Sequence, residues 1–243
     1  TAVKSKEATA VWRNNLAAVL LQTGNQGRAL KLARTAAQQA GDQVEIQLTL
    51  VDALTVTGHT LEALELAAKQ QKKFPSHKTL QTQHDQLLDV YLTSALQQIQ
   101  QGQVEQGLSA LQQAKDEPRA AVMTAEVLLR LQHHDDALVA AQQGKRKFAA
   151  AASEFAEVEN SVFAEMTRQY YQQFQRGDGL PAYAAAKELA EKYPDNAVVQ
   201  KASTDLWNAL LADAKTIDVP KPQQRVALRQ SASSPSSDHL LAA

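Results

Sequence analysis

The chain repeats itself at a fixed distance. Thr23-Gly24, followed by Ala29-Leu30 and Leu32-Ala33, recurs as Thr57-Gly58, Ala63-Leu64 and Leu66-Ala67, every pair displaced by the same interval (57 − 23 = 34). A constant period of this size marks repeat architectures, in which one supersecondary unit cannot bury its apolar face until a neighbour stacks on it. The unit itself is helical. Glycine (9) and proline (7) are sparse in 243 residues, and Ala, Leu, Gln, Lys and Glu dominate, a composition that favours helix over strand. With 44% hydrophobic but 5% aromatic residues, the core must be built from Ala, Leu and Val.

The first copy, "QTGNQGRALKLA" from Gln22 to Ala33, has the two close glycines of a phosphate loop before a helix start. It lacks the Lys-Ser or Lys-Thr of a P-loop and the third glycine of a dinucleotide fingerprint, and no β-branched strand precedes it. Its recurrence one period on makes Gly24 the end of one helix and Ala29 a small residue where the next helix packs closely.

Three weaker copies follow: "GQVEQGLSALQQA" with Gly102 and Gly107, "LQHHDDALVAAQQG" with Ala137 and Ala141, and "QRGDGLPAYAAAKELAEKYPDN" with Gly177, Ala182, Ala186 and Pro194. The small-residue position steps from 29 to 63 (34), to 107 (44), to 137 (30) and to 182 (45). The two long steps exceed the first by close to three helical turns, and the short step falls below it by close to one. Each change therefore keeps the apolar stripe facing its neighbours. The spacing predicts two long helices, about 78–101 and 151–175.

Glycine closing one helix, alanine five positions on, and Pro75 after the second helix resemble the tetratricopeptide repeat (TPR) family. In unit one Leu16, Ala17, Leu20, Ala29 and Ala36 fall on signature positions and Trp12 falls one position early; in unit two Leu50, Leu54, Ala63 and Pro75 match, while Val51 and Gln70 replace small residues. The resemblance implies an all-α protein, a right-handed superhelical array of antiparallel helix hairpins (a TPR-like α-solenoid). Its hairpins are expected at 10–43, 44–77, 78–117, 118–150 and 151–195, with a capping helix at 197–215 carrying Leu206, Trp207, Leu210 and Leu211. Residues 1–216 then form one repeat domain and 217–243 a Pro- and Ser-rich tail that cannot bury enough to order itself.

A net charge of −1 gives no general pull toward nucleic acid or an anionic membrane, and no apolar run reaches the ~18 residues of a membrane span. The absence of cysteine removes disulfides and thiolate chemistry. His133-His134-Asp135-Asp136 resembles a metal cluster, but adjacent helical residues diverge by about 100° and the run falls on a hairpin turn, with the aspartates as caps. His77 and His84 lack a third ligand and read as a solvated face. Glu154, Glu157, Glu159 and Glu165 read as a solvated or partner-facing stripe, with no pocket to raise one pKa. Lys72-Lys73-Phe74 and Lys145-Arg146-Lys147-Phe148 end helices, where the macrodipole favours cations. Trp12 and Trp207 read as core or capping residues, and of Tyr170, Tyr171 and Phe174 at least one faces outward. No catalytic set, metal or cofactor is expected.

The family's ligand surface is the concave face lined by first helices. Carried over, it comprises Asn14, Glu45, Asp52, Leu92, Leu96, Glu126, Arg130, Tyr171 and Phe174. Chaperone-binding members hold a terminal carboxylate there with Lys, Asn and Arg; Glu45, Asp52 and Glu126 oppose that. The expectation is a non-enzymatic adaptor or scaffold for a peptide or protein partner. The alternative is a helical accessory region of a larger cell-envelope enzyme or assembly complex. The absence of an initiator Met and of cysteine favours a bacterial periplasmic protein over a cytoplasmic one.

Overall fold

A computed structural model describes residues 2–216, with side chains described for 8–213. The anticipated tail at 217–243 lies outside the described residues. Among the described residues eleven α-helices follow one another and no strand occurs: α1 Ala2–Gln22, α2 Gln26–Gln39, α3 Val44–Val56, α4 Thr60–Lys73, α5 Lys78–Gln100, α6 Val104–Gln113, α7 Pro118–Arg130, α8 His134–Lys147, α9 Ala152–Gln175, α10 Gly179–Lys192 and α11 Ala197–Thr216. A 3-10 turn, Ala149–Ala151, leads into α9.

Helix lengths account for the uneven repeat. The second helices α2, α4, α8 and α10 each have 14 residues whereas α6 has 10 residues, which is the short step. First helices α3 and α7 have 13 residues; α5 has 23 residues and α9 has 24 residues, which are the two long steps.

The hairpins close by one mechanism. After α1 the N–H of Gly24 donates to Leu21 O and that of Asn25 to Leu20 O, the paired bonds of a Schellman motif, with Gly24 at φ 79°. The same pair recurs at Gly58/His59, Gly102/Gln103, Gln132/His133 and Gly177/Asp178. Each closing residue serves two helices: its N–H satisfies the one before, and its carbonyl accepts the first bond of the one after, from Ala29, Ala63, Gly107, Ala137 and Ala182 N–H. Four of these turns have glycine at the left-handed position; the one between α7 and α8 has Gln132 at φ 63°. His133 is the N-cap of α8, without a side-chain bond, so Asp135 and Asp136 lie in the first turn and complement the dipole there rather than cap it.

The chain divides into two compact units, one up to Glu159 and one from Asn160, the division falling within α9. In the first unit helices pack on their sequence neighbours from α1 to α8, and α1 also packs on α3. Alanine makes this packing close: Ala29, Ala33, Ala36, Ala53, Ala63 and Ala67 are fully buried, with Leu54, Leu64, Leu80 and Leu111 between them. At Gly107 even a methyl group is too large, since a Cβ there would come 2.7 Å from Ala95 O. In the second unit α10 packs on α11, Phe163 meets Tyr193 edge-on at 4.8 Å, and Val199, Ala202 and Leu206 turn inward from α11.

The tryptophans are not core. Trp12 is 72% exposed and Trp207 45% exposed, the latter leaning on Tyr183 at 5.1 Å between ring centres. Both sit on terminal helices, where no further hairpin of the described chain supplies a covering face.

Candidate interaction surface

First helices of successive hairpins are tied together by polar bonds about one repeat apart. Gln83 on α5 donates to Asp52 on α3 at 2.6 Å, and Arg119 on α7 pairs with Asp89 on α5 at 2.6 Å. A second set ties helix ends to loops: Lys73 pairs with Asp42 and Lys147 with Asp116, while Lys147 Nζ also donates to Lys115 O. The cations that end α4 and α8 therefore answer more than the macrodipole. Each also lies over the ring that follows it, Phe74 or Phe148.

The residues carried onto the first-helix face separate by exposure. Glu45 and Asp52 are exposed on α3, two turns apart and so on one helix face. Glu126 is half-buried and Arg130 exposed on α7, while Leu96 is half-buried on α5 against the core. Asn14, 8% exposed, and Leu92, 2% exposed, are interior side chains and present almost no surface. Tyr171 and Phe174 belong to the second unit. Tyr171 donates to Asp205 Oδ2 on α11 at 3.0 Å, and the Phe174 ring lies 3.2 Å from where a Cβ on Gly179 would be. Tyr170, Tyr171 and Phe174 are each half-buried, so none is the outward-facing aromatic expected.

Charge on this surface is shaped by crowding. The Asp52 carboxyl keeps exposed area but is hemmed in by protein, and that desolvation pushes its pKa up against the opposing Gln83 hydrogen bond. Burial and then the Asp205 hydrogen bond push the Tyr171 phenol up to about 12.

His84 is not solvated: it is 7% exposed, with Nε2 3.3 Å from Glu117 Oε1 and Nδ1 3.4 Å from Asp85 Oδ1. The Glu117 hydrogen bond raises its pKa, against desolvation. The glutamates of α9 are also less free than their spacing implies. Glu159 accepts from Gln142 and Lys145, and Glu165 pairs with Arg168 at 2.6 Å. His133 lies 3.6 Å from Asp136, and among the described residues no group of three or more candidate ligands converges on a metal position.

No family model matches the chain, and no curated protein matches it. Solved structures similar to it include TTC0263, a thermophilic TPR protein of Thermus thermophilus, at 16% identity and a TM-score of 0.33 over 82% of this chain and 98% of that one. YrrB, a TPR protein with an unusual peptide-binding site, is similar at 14% identity and a TM-score of 0.31 over 84% and 96%. No helix among the described residues is long and apolar enough to cross a membrane. By its helix order, its hairpin turns and its neighbour-on-neighbour packing, the chain is an all-α protein built of TPR-like helical hairpins.

Proposed function

We propose that the protein is a non-enzymatic scaffold that binds a protein segment along the first-helix face of its N-terminal unit. The observation that carries this is the acidic row of Glu45 and Asp52, exposed two turns apart on one face of α3 while the apolar stripe of that helix is consumed by neighbours; on α7 the half-buried Glu126 is followed by the exposed Arg130. Asp52 is the end of the row that protein crowds. Its charged form is held at a cost by desolvation, and a cation from a partner relieves that cost. The segment that fits carries lysine or arginine, with an apolar side chain against Leu96.

Tyr171 and Phe174, half-buried in the second unit, offer a partner only their remaining exposure, and the Tyr171 hydroxyl is already engaged by Asp205. The scaffold works in a bacterial cell envelope, on the periplasmic side, in assembling a complex; the absence of cysteine is compatible with this placement.

Affinity capture with the full chain tests the reading. The Glu45→Lys, Asp52→Lys double variant, its helix content unchanged by circular dichroism, should lose the partners held by wild type by about tenfold or more, as expected for reversed charge at a desolvated site. Equal recovery by both proteins overturns the reading.

A further inference from the structure

The two hairpin pairs of the first unit can be compared position by position. Asp42, Lys73 and Phe74 correspond to Asp116, Lys147 and Phe148, each displaced by one common interval (116 − 42 = 74). An open groove of about 610 Å³ runs between α2, α3 and α4, and one of about 330 Å³ lies at the equivalent place between α6, α7 and α8. Their linings differ at five positions that matter: Lys69 is replaced by Gln143, Gln47 by Ala121, Gln70 by Gly144, Leu50 by Thr124 and Leu66 by Ala140.

In the second groove the Gly144 position is closed. The Phe155 ring occupies the space where a Cβ would stand, so no side chain enters there. In the first groove Gln70 occupies the wall, 6% exposed, and its Oε1 has no hydrogen-bond partner. A buried acceptor left unpaired is destabilising, and the repeat does not require it, since the second pair does without. The terminal torsion of glutamine is soft, so the oxygen can turn to meet a donor entering from the groove.

The groove's rim is cationic. Arg34 pairs with Glu62 at 2.6 Å and Lys73 with Asp42, both bridges being exposed and readily exchanged, while Lys69 is exposed and has no carboxylate partner among the described residues. Leu50 and Leu66 supply an apolar wall.

We infer that the α2–α3–α4 groove is a second binding site, distinct from the first-helix face, for an extended acidic segment of a protein. A backbone N–H of the segment donates to Gln70 Oε1, a carboxylate side chain takes Lys69, and an apolar side chain lies against Leu50 and Leu66. The site is independent of the scaffold reading above, because the groups that would recognise the segment by charge and hydrogen bonding, Arg34, Lys69 and Gln70, stand on second helices and the charge is of opposite sign.

The test is an amide-resolved NMR titration of the full chain with a capped nonapeptide of three glutamate-serine-leucine repeats, beside its lysine-serine-leucine counterpart. The acidic peptide should shift resonances around Arg34, Lys69 and Gln70 and leave those around Gln143 and Gly144 unmoved. Lys69→Glu should weaken it about tenfold or more. Gln70→Leu, which removes the unpaired oxygen, should raise the urea midpoint of the free protein yet weaken the peptide by several-fold, a combination that a purely structural role for Gln70 does not give. The inference is overturned if the acidic peptide produces no shifts at millimolar concentration, if its shifts lie elsewhere, if both substitutions leave its affinity unchanged, or if the lysine peptide takes the groove equally well.

Discussion

His84 is a buried side chain of the first unit with a carboxylate beside each ring nitrogen, Asp85 at Nδ1 and Glu117 at Nε2. The Glu117 bond raises its pKa above the ordinary 6.5, so the folded state binds the proton more tightly than the unfolded chain does. Its contribution to stability is therefore complete below about 6.5 and is lost as pH rises through the raised value. Urea denaturation at about pH 6 and about pH 8 should show wild type losing more stability across that interval than His84→Gln does. An equal loss in both contradicts the assignment. The sequence conceals the role of this histidine because Glu117 is 33 positions away (117 − 84), at the start of the next first helix. Asp42 and Lys73, 31 apart, are concealed for the same reason, although opposite charges spaced by about one repeat are a signal that a search at that interval would find.

At the scale of the element, the glycine that ends a helix is legible in the sequence at four of the five hairpin turns, whereas the capping residue of α8 is not. Glycine two positions before most of the second helices, with a small residue five positions on, specifies the turn and the close crossing of the two helices. The turn between α7 and α8 shows what the pattern controls: Gln132 has the left-handed conformation that glycine takes at the other four. A side chain there costs about 1 kcal/mol, partly offset by the extra freedom glycine has when unfolded. Gln132→Gly should accordingly raise stability by about 0.5–1 kcal/mol in denaturant titration, and Gly58→Ala, at φ 80° in the second turn, should lower it by about 1 kcal/mol. If Gln132→Gly destabilises, the glutamine side chain is holding something that the turn geometry does not explain. Helix lengths are equally legible, because an insertion of whole helical turns preserves the stripe only inside a helix. The exposure of Trp12 is not: its place on α1 follows from the repeat, but what covers a terminal helix is set by neighbours the repeat does not contain.

For the molecule, the repeat specifies hairpins and their order, and it separates poorly the residues that face outward from those that face in. Asn14 and Leu92 fall on first-helix positions carried over to the surface yet are interior, because the closeness of neighbouring helices decides which flank of a stripe is covered. What remains at the surface of the first unit includes an acidic pair on a first helix, Glu45 and Asp52, and the cations Arg34 and Lys69 on second helices, although both kinds of helix carry both signs, Arg130 on α7 and Glu62 on α4 among them. A scaffold with two such surfaces can hold a basic and an acidic segment at once. The central claim is that the acidic first-helix row is a partner surface, and hydrogen exchange of the full chain with and without its captured partner tests it most directly. The account predicts slowed exchange in α3 and α7 around Glu45, Asp52 and Glu126, abolished by the Glu45→Lys, Asp52→Lys double variant; protection confined to other helices, or unchanged in that variant, contradicts it.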